Sequence, residues 1–184
     1  IRDRVVQGIG NRAERQSRVL AMAARVGLDG MALDRYAHEF SGGQRQRIGI
    51  ARALMLEPDL VVCDEPVSAL DVSIRAQILN LLLELQRERN LAYIFVSHDM
   101  AVVEHVADRV AVMYLGRVVE AGTVDAVMSH PAHPYTRALL DSVPRLDPSS
   151  RLRSIPVVVG DLPSPTNPPP GCHYHPRCPI ATAV

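Results

Sequence analysis

Two short apolar runs, each ending in polar residues and separated by one long amphipathic stretch, set the narrowest limit on how this chain can fold. The first is Leu60 to Cys63, preceded by Pro58 and closed by Asp64 and Glu65; the second is Tyr93 to Val96, closed by Ser97, His98 and Asp99. Short apolar runs bounded in this way read as strands, the first of them a buried one, with Cys63 a small apolar residue inside it. Between them Ile74, Ile78, Leu81, Leu82 and Leu85 recur at helical spacing and predict a core-facing stripe. Strands joined through a helix run parallel, so both C-terminal ends lie on one sheet edge, where open α/β sheets bind ligands.

That edge carries chemistry. Successive strand side chains point to opposite faces, so Asp64 and Glu65 project differently into whatever lies there. A hard carboxylate ligand for Mg²⁺ beside a second carboxylate that orients a water is what nucleotide hydrolysis needs. Solvated acids closing a strand would give the same letters. His98 alone also reads as structural; its shared edge with Asp64 and Glu65 is what puts it within reach of a phosphate or an attacking water.

Upstream lies "FSGGQRQRIGIARAL", Phe40 to Leu54. Gly42 and Gly43 leave their N–H groups open to a bulky group, and Ser41 is a good N-cap for the helix-compatible pattern that follows. A helix N-terminus with open N–H groups, a serine hydroxyl and the positive end of the dipole suits a phosphate. Over "SGG" alone, a glycine turn before an amphipathic helix reads equally well.

The series "SGGQ", "VVCDEP", "SALD" and "SHD", in this order and at these separations, resembles the ATP-binding subunit of an ABC transporter. The resemblance implies an α/β, partial P-loop NTPase-type fold with parallel strands, a helical signature region and a proline-rich C-terminal extension. It implies that Ser41, Gly42, Gly43 and Gln44 form the signature loop, which clamps ATP held by the opposite subunit. Asp64 would hold Mg²⁺ through water, Glu65 would be the general base, and His98 would sense the γ-phosphate. Asp71, in the D-loop Ser68 to Asp71, would link the two sites of the dimer. Phe40 stands where the family has leucine and keeps an apolar anchor. The implied partners are a second ATPase subunit, as homo- or heterodimer, and transmembrane permease subunits, with the protein peripheral at the cytoplasmic face of the inner membrane.

One part of the family's equipment is missing. All 20 residues counted as Lys+Arg are arginines, so these 184 residues hold no P-loop lysine. A Q-loop and an adenine-stacking aromatic are likewise not recognisable before Phe40. The chain therefore reads as the C-terminal portion of a longer subunit, with a truncated, non-catalytic module as the alternative. A hydrophobic content of 47% can supply a core. No apolar run approaches the roughly 18 to 20 residues of a spanning helix. Zero net charge argues against a nucleic-acid partner, and Arg12, Arg15, Arg18 and Arg25 read as a solvated helix face.

From Asp108, "DRVAVMYLGRVVEAG" reads as a hairpin around Leu115, Gly116 and Arg117, followed by a short helix over "TVDAVMSH". Then the composition shifts. Of 14 prolines, Pro58, Pro66, Pro131 and Pro134 precede Asp141 and the other ten follow it. "DLPSPTNPPPG" predicts extended, PPII-like chain. The expected division is 1–140, the C-terminal part of the ATPase domain, and 141–184, an extension. "HPYTRALLDSVP" followed by "PSPTNPPPGCHYHPRCP" is similar to the tail of oligopeptide and dipeptide permease ATPases, which implies peptide uptake. The same tail speaks against a non-transport ABC-type ATPase of DNA repair or translation. Within it, Cys172, His173, His175 and Cys178 offer ligands for zinc or an iron–sulfur cluster. C-x5-C is no standard zinc spacing, and a cluster usually takes four cysteines, so the tail as it stands is expected to hold no iron–sulfur cluster.

Overall fold

The computed structural model describes residues 10–30, 35–143 and 163–182. The chain divides after His98 into two compact units.

In the first unit, helix α1 spans Arg12–Arg25 and starts where sequence chemistry says it should. The Asn11 side chain accepts the Glu14 N–H at 2.9 Å, and the Glu14 carboxylate accepts the Asn11 N–H at 2.9 Å, a reciprocal capping box. Of the arginines expected to form a solvated face, Arg12 and Arg18 are exposed but Arg15 and Arg25 are half-buried, and two of the four are ion-paired. Arg25 donates to Glu88 (2.5 Å) and Glu84 (3.3 Å), and Arg18 donates to Glu57 (2.5 Å). The Glu88 partnership raises the Arg25 pKa and depresses that of Glu88.

Helix α2 spans Gly42–Leu54, strand β1 Leu60–Asp64, helix α3 Val72–Arg89 and strand β2 Ala92–Val96. The α3 helix ends at Asn90, which takes the left-handed conformation with φ +51° that asparagine tolerates at a helix end. Strands β1 and β2 pair in parallel, with Leu60 opposite Ala92 and Asp64 opposite Val96. This is the expected α/β arrangement, with both C-terminal ends on one edge. Ile78, Leu79, Leu81, Leu82 and Leu85 are buried; Ile74, the first residue of the expected stripe, is half-buried. Val26 and Leu54 complete the interior, each such side chain contributing on the order of 1.5–3 kcal/mol by burial.

The expectation of a buried first strand needs correction. Cys63 is buried, but Leu60 and Val62 on the opposite face of β1 are 50% and 62% exposed, as are Ile94 (52%) and Val96 (47%) beside them on β2. Residues two apart share a face, and the helices cover only the Cys63 face, where the Tyr93 hydroxyl donates to the Leu82 carbonyl of α3 at 3.1 Å.

In the second unit, helix α4 (Met100–Val106) is capped by Asp99 and leads into an antiparallel hairpin of β3 (Arg109–Tyr114) and β4 (Arg117–Thr123). Its two-residue turn is Leu115 (φ +45°) and Gly116 (φ +76°), the positive-φ pair that matches strand twist. Short helices α5 (Val124–Ser129) and α6 (Pro134–Asp141) follow. Part of the proline-rich extension, including Pro144, Pro148, Pro156 and the start of "DLPSPTNPPPG", lies outside the described residues. From Pro163 onward the chain is not uniformly extended. It turns at Ser164 to Asn167, where the Ser164 hydroxyl accepts the Thr166 N–H at 3.3 Å, a local bond that competes with PPII. A short 3₁₀ turn, His175–Arg177, closes the tail.

Candidate active site

The glycines that open α2 sit as the N-cap pattern predicts. The Ser41 hydroxyl accepts the Gln44 N–H at 3.3 Å, and the Gln44 side-chain oxygen accepts the Ser41 N–H at 3.0 Å. Gln44 is thereby tied into a capping box. Gly42 and Gly43 are the first two helical residues, whose N–H groups have no acceptor within the helix. Phe40 is buried and anchors the loop, with the Arg35 guanidinium 4.9 Å above its ring.

The two glycines have different reasons to lack a side chain. A Cβ on Gly42 would meet Leu70 at an ordinary 3.7 Å, leaving that backbone open for a ligand. A Cβ on Gly43 would lie 2.6 Å from Cγ2 of Ile74, on the stiff, β-branched part of that side chain. Gly43 is required by the approach of α2 to α3.

At the sheet edge, Asp64 ends β1 with its side chain exposed. Glu65 follows with φ +43°, the left-handed region, which costs a non-glycine residue about 1–2 kcal/mol. It is held there from both sides. Its N–H donates to the Val96 carbonyl at 3.0 Å, prolonging the ladder to β2, and its carbonyl accepts the Ser68 hydroxyl at 3.1 Å. Buried Val67 pins the same turn. The outcome is that Oε1 of Glu65 lies 3.0 Å from Nδ1 of His98. With side chains 48% and 74% exposed, the pair contributes at most about 1 kcal/mol to stability. What it fixes is geometry: a carboxylate and an imidazole delivered by two parallel strands to the same point.

Asp71 has a role that the motif reading missed. Its carboxylate caps α3, accepting the Ile74 N–H at 3.0 Å and the Ser73 hydroxyl at 2.9 Å. Those two bonds hold its pKa below the usual carboxylate range. The signal was visible in the sequence as aspartate ahead of a periodic stretch. Also missed was Arg47, whose guanidinium donates to the Val26 carbonyl at 2.7 Å and to the Gln77 side chain at 3.0 Å. No spacing rule marks that contact, because its three residues come from three elements.

The tail ligands diverge. Cys172 is exposed while His173 next to it is buried, and Nδ1 of His175 is engaged with the Cys172 carbonyl at 3.0 Å. Among the described residues, no three His, Cys, Asp or Glu side chains are grouped to hold a metal. As placed, the tail does not fit zinc or an iron–sulfur cluster. It is anchored instead by Tyr174, whose ring lies 5.2 Å from that of Tyr114 and 5.4 Å from that of Tyr135.

Residues 2–68 match the ABC transporter family, and residues 119–184 match the family described as oligopeptide/dipeptide transporter, C-terminal region. The chain is 60% identical over 169 residues to the dipeptide transport ATP-binding protein of Haemophilus influenzae, a match covering 92% of this chain and 51% of that protein. It thus spans about half the length of the curated relatives it matches. Among solved structures it is similar to an ATP-binding cassette of an ABC transporter in its ADP conformation (TM-score 0.62, 25% identity, 73% of this chain and 53% of that one). A second is a dimeric, post-hydrolysis ATP-binding cassette bound to ADP and Pi (TM-score 0.56, 30% identity, 62% and 49%). The capped glycine turn, the carboxylate pair and the histidine thus stand in a chain that belongs to the ATP-binding subunits of ABC transporters, in the group with the oligopeptide/dipeptide-type C-terminal region.

Proposed function

We propose that the complete protein hydrolyses ATP to drive the uptake of small peptides through a membrane permease. The observation that carries the reading is the 3.0 Å contact between Glu65 and His98 at the C-terminal edge of the parallel strands. Glu65 is the general base that orients and deprotonates the attacking water, and His98 holds that carboxylate and faces the γ-phosphate. The exposed carboxylate of Asp64 fits a hard cation that keeps most of its waters, and Mg²⁺ held there would offset charge on the phosphates. Ser41, Gly42 and Gly43, with Gln44 fixing the loop, present N–H groups and a hydroxyl to the phosphates of an ATP bound by a second ATPase subunit. That a similar ATP-binding cassette is dimeric with ADP and Pi bound supports the presence of a second subunit. Asp71, at the start of α3, lies at the junction between the two sites.

Residues 1–140 then belong to the ATPase domain and 141–184 to an extension of the peptide-transport group. No helix among the described residues is long and apolar enough to cross a membrane. Separate permease subunits would form the path, with this subunit peripheral at the cytoplasmic face.

The test is uptake of a labelled dipeptide and tripeptide by cells lacking the gene. Wild-type protein is expected to restore uptake and Glu65→Gln not to. Undiminished uptake of both peptides in the deletion strain would overturn the assignment.

A further inference from the structure

Two of the contacts between helix α2 and α3 are spaced one turn apart. Gly43 lies against Ile74, and four residues further along α2 Arg47 reaches Gln77, which is three residues beyond Ile74. Residues three or four apart share a helix face, so the contacts form a ladder. One contact leaves α2 able to pivot about it; two fix both its rotation and its axial register. The other arm of the Arg47 fork donates to the carbonyl of Val26, a residue with no exposed surface. Gly27, next in the chain, makes room for that arm: a Cβ there would lie 3.1 Å from Nη1 of Arg47.

We propose that Arg47 is a positioning residue for the nucleotide, holding the Ser41–Gly43 end of α2 in register with α3 through this two-armed clasp. The proposal rests on the reading of Ser41 to Gln44 as a nucleotide contact. Arg47 sits beyond the first turn and acts only through the helix it holds. The water-activating pair is fixed independently, by the bond from Glu65 N–H to Val96 and the contact with His98. Loosening the clasp therefore displaces the phosphate-facing N–H groups while leaving the hydrolytic pair in place. That is a defect in nucleotide binding with chemistry preserved.

Only a planar fork reaches both acceptors, which lie on different elements; a lysine ammonium on one stem serves one of them. Arg47→Ala would also leave a buried carbonyl unpaired and jeopardise folding, so Gln77 carries the decisive variants. In the full-length protein, Gln77→Ala and Arg47→Lys are expected to raise the KM for MgATP about three- to tenfold, the net size of one lost solvent-exposed hydrogen bond, with kcat within about twofold. Gln77→Glu keeps an acceptor and should restore the wild-type KM. The same variants are read by amide exchange at Gln44 and Arg45, whose N–H groups bond to the Ser41 hydroxyl and carbonyl. Exchange there should quicken about threefold or more in Gln77→Ala and return to wild type in Gln77→Glu. A lower Tm with either KM or amide exchange unchanged would overturn the proposal and leave Arg47 a stabilising residue only. If the wild-type protein turns over no ATP, the functional reading fails, and amide exchange alone decides whether the clasp holds the helix end.

Discussion

Nδ1 of His98 stands 3.0 Å from Oε1 of Glu65 although 33 positions separate them, because one residue follows β1 and the other follows β2. Against an ionised carboxylate, which can only accept, it is an Nδ1–H of the imidazole that donates in this contact. Glu65 holds this position in a left-handed backbone conformation, the kind of local strain that persists where the surroundings enforce it. Glu65→Gln in the full-length protein is expected to keep ATP binding and lower turnover by about 10²- to 10⁴-fold. Such a mutant should accumulate as an ATP-bound dimer. Phosphate release measured beside nucleotide binding checks both halves, and turnover near wild type would remove the base assignment.

The unequal glycines give a second expectation. Gly43→Ala forces a methyl group to within 2.6 Å of Ile74 and should destabilise by about 1–3 kcal/mol, as overpacking does. Gly42→Ala has room within this chain and should leave the melting temperature near wild type while weakening nucleotide binding. The double mutant Gly43→Ala/Ile74→Ala removes the opposing methyl and should recover part of the lost stability relative to the sum of the single changes. Melting curves of wild type, the three single mutants (Ile74→Ala included) and the double mutant decide it. Additivity would mean that Ile74 is not what excludes the side chain.

Periodicity sufficed for the two parallel strands and the helix between them, because a repeat of two or of 3.6 is written into neighbouring letters. The capped start of α2 was equally legible, since Ser41 and Gln44 need only each other. What the letters did not disclose depends on distance in the chain. The 2.6 Å approach that reserves Gly43, the Arg47 fork across three elements and the strained φ of Glu65 are products of packing. The exposure of Val62 and Ile94 was hidden for a related reason: an apolar run records hydrophobicity and cannot say which face is covered.

Asp71 makes stability depend on pH in a stated direction. Its folded pKa is depressed, chiefly by the Ile74 N–H and then by the Ser73 hydroxyl. Its contribution is therefore complete above the ordinary carboxylate value of about 3.9 and is lost as pH falls through the lower folded value. Asp71→Asn keeps an oxygen for the Ile74 N–H but cannot titrate. The difference in Tm between wild type and Asp71→Asn should favour wild type at neutral pH, shrink on acidification below about pH 4 and vanish only below the lower folded value. A gap independent of pH would mean that the charge has no part in the cap.

Thiol chemistry separates the cysteines. Burial pushes the Cys63 thiol up to about 11, so at pH 8 it is almost wholly protonated as well as shielded, whereas Cys172 is exposed. Alkylation at pH 8 followed by peptide mapping should modify Cys172 first and Cys63 only after denaturation. Early modification of Cys63 would mean that β1 opens far more readily than its packing against α3 implies.

The tail offers a last expectation, in which packing and ligand chemistry compete to explain its order. Tyr174 is only 2% exposed and lies among the rings of Tyr114, Tyr135 and His133, the last at 5.7 Å. Truncating a large buried aromatic costs about 3–5 kcal/mol. The four possible metal ligands around it diverge, with His173 turned inward and Cys172 outward. If Tyr174 is the anchor, the tail keeps its fold without metal: a chelator should leave its protease resistance unchanged, while Tyr174→Ala should expose it to cleavage. Anaerobic treatment of this 184-residue chain with iron and sulfide should give no stable visible absorption, because two cysteines cannot complete a four-thiolate cluster. A brown, chelator-sensitive product whose loss releases the tail to proteolysis would reverse the assignment and make metal, rather than the tyrosine cluster, the element that holds it.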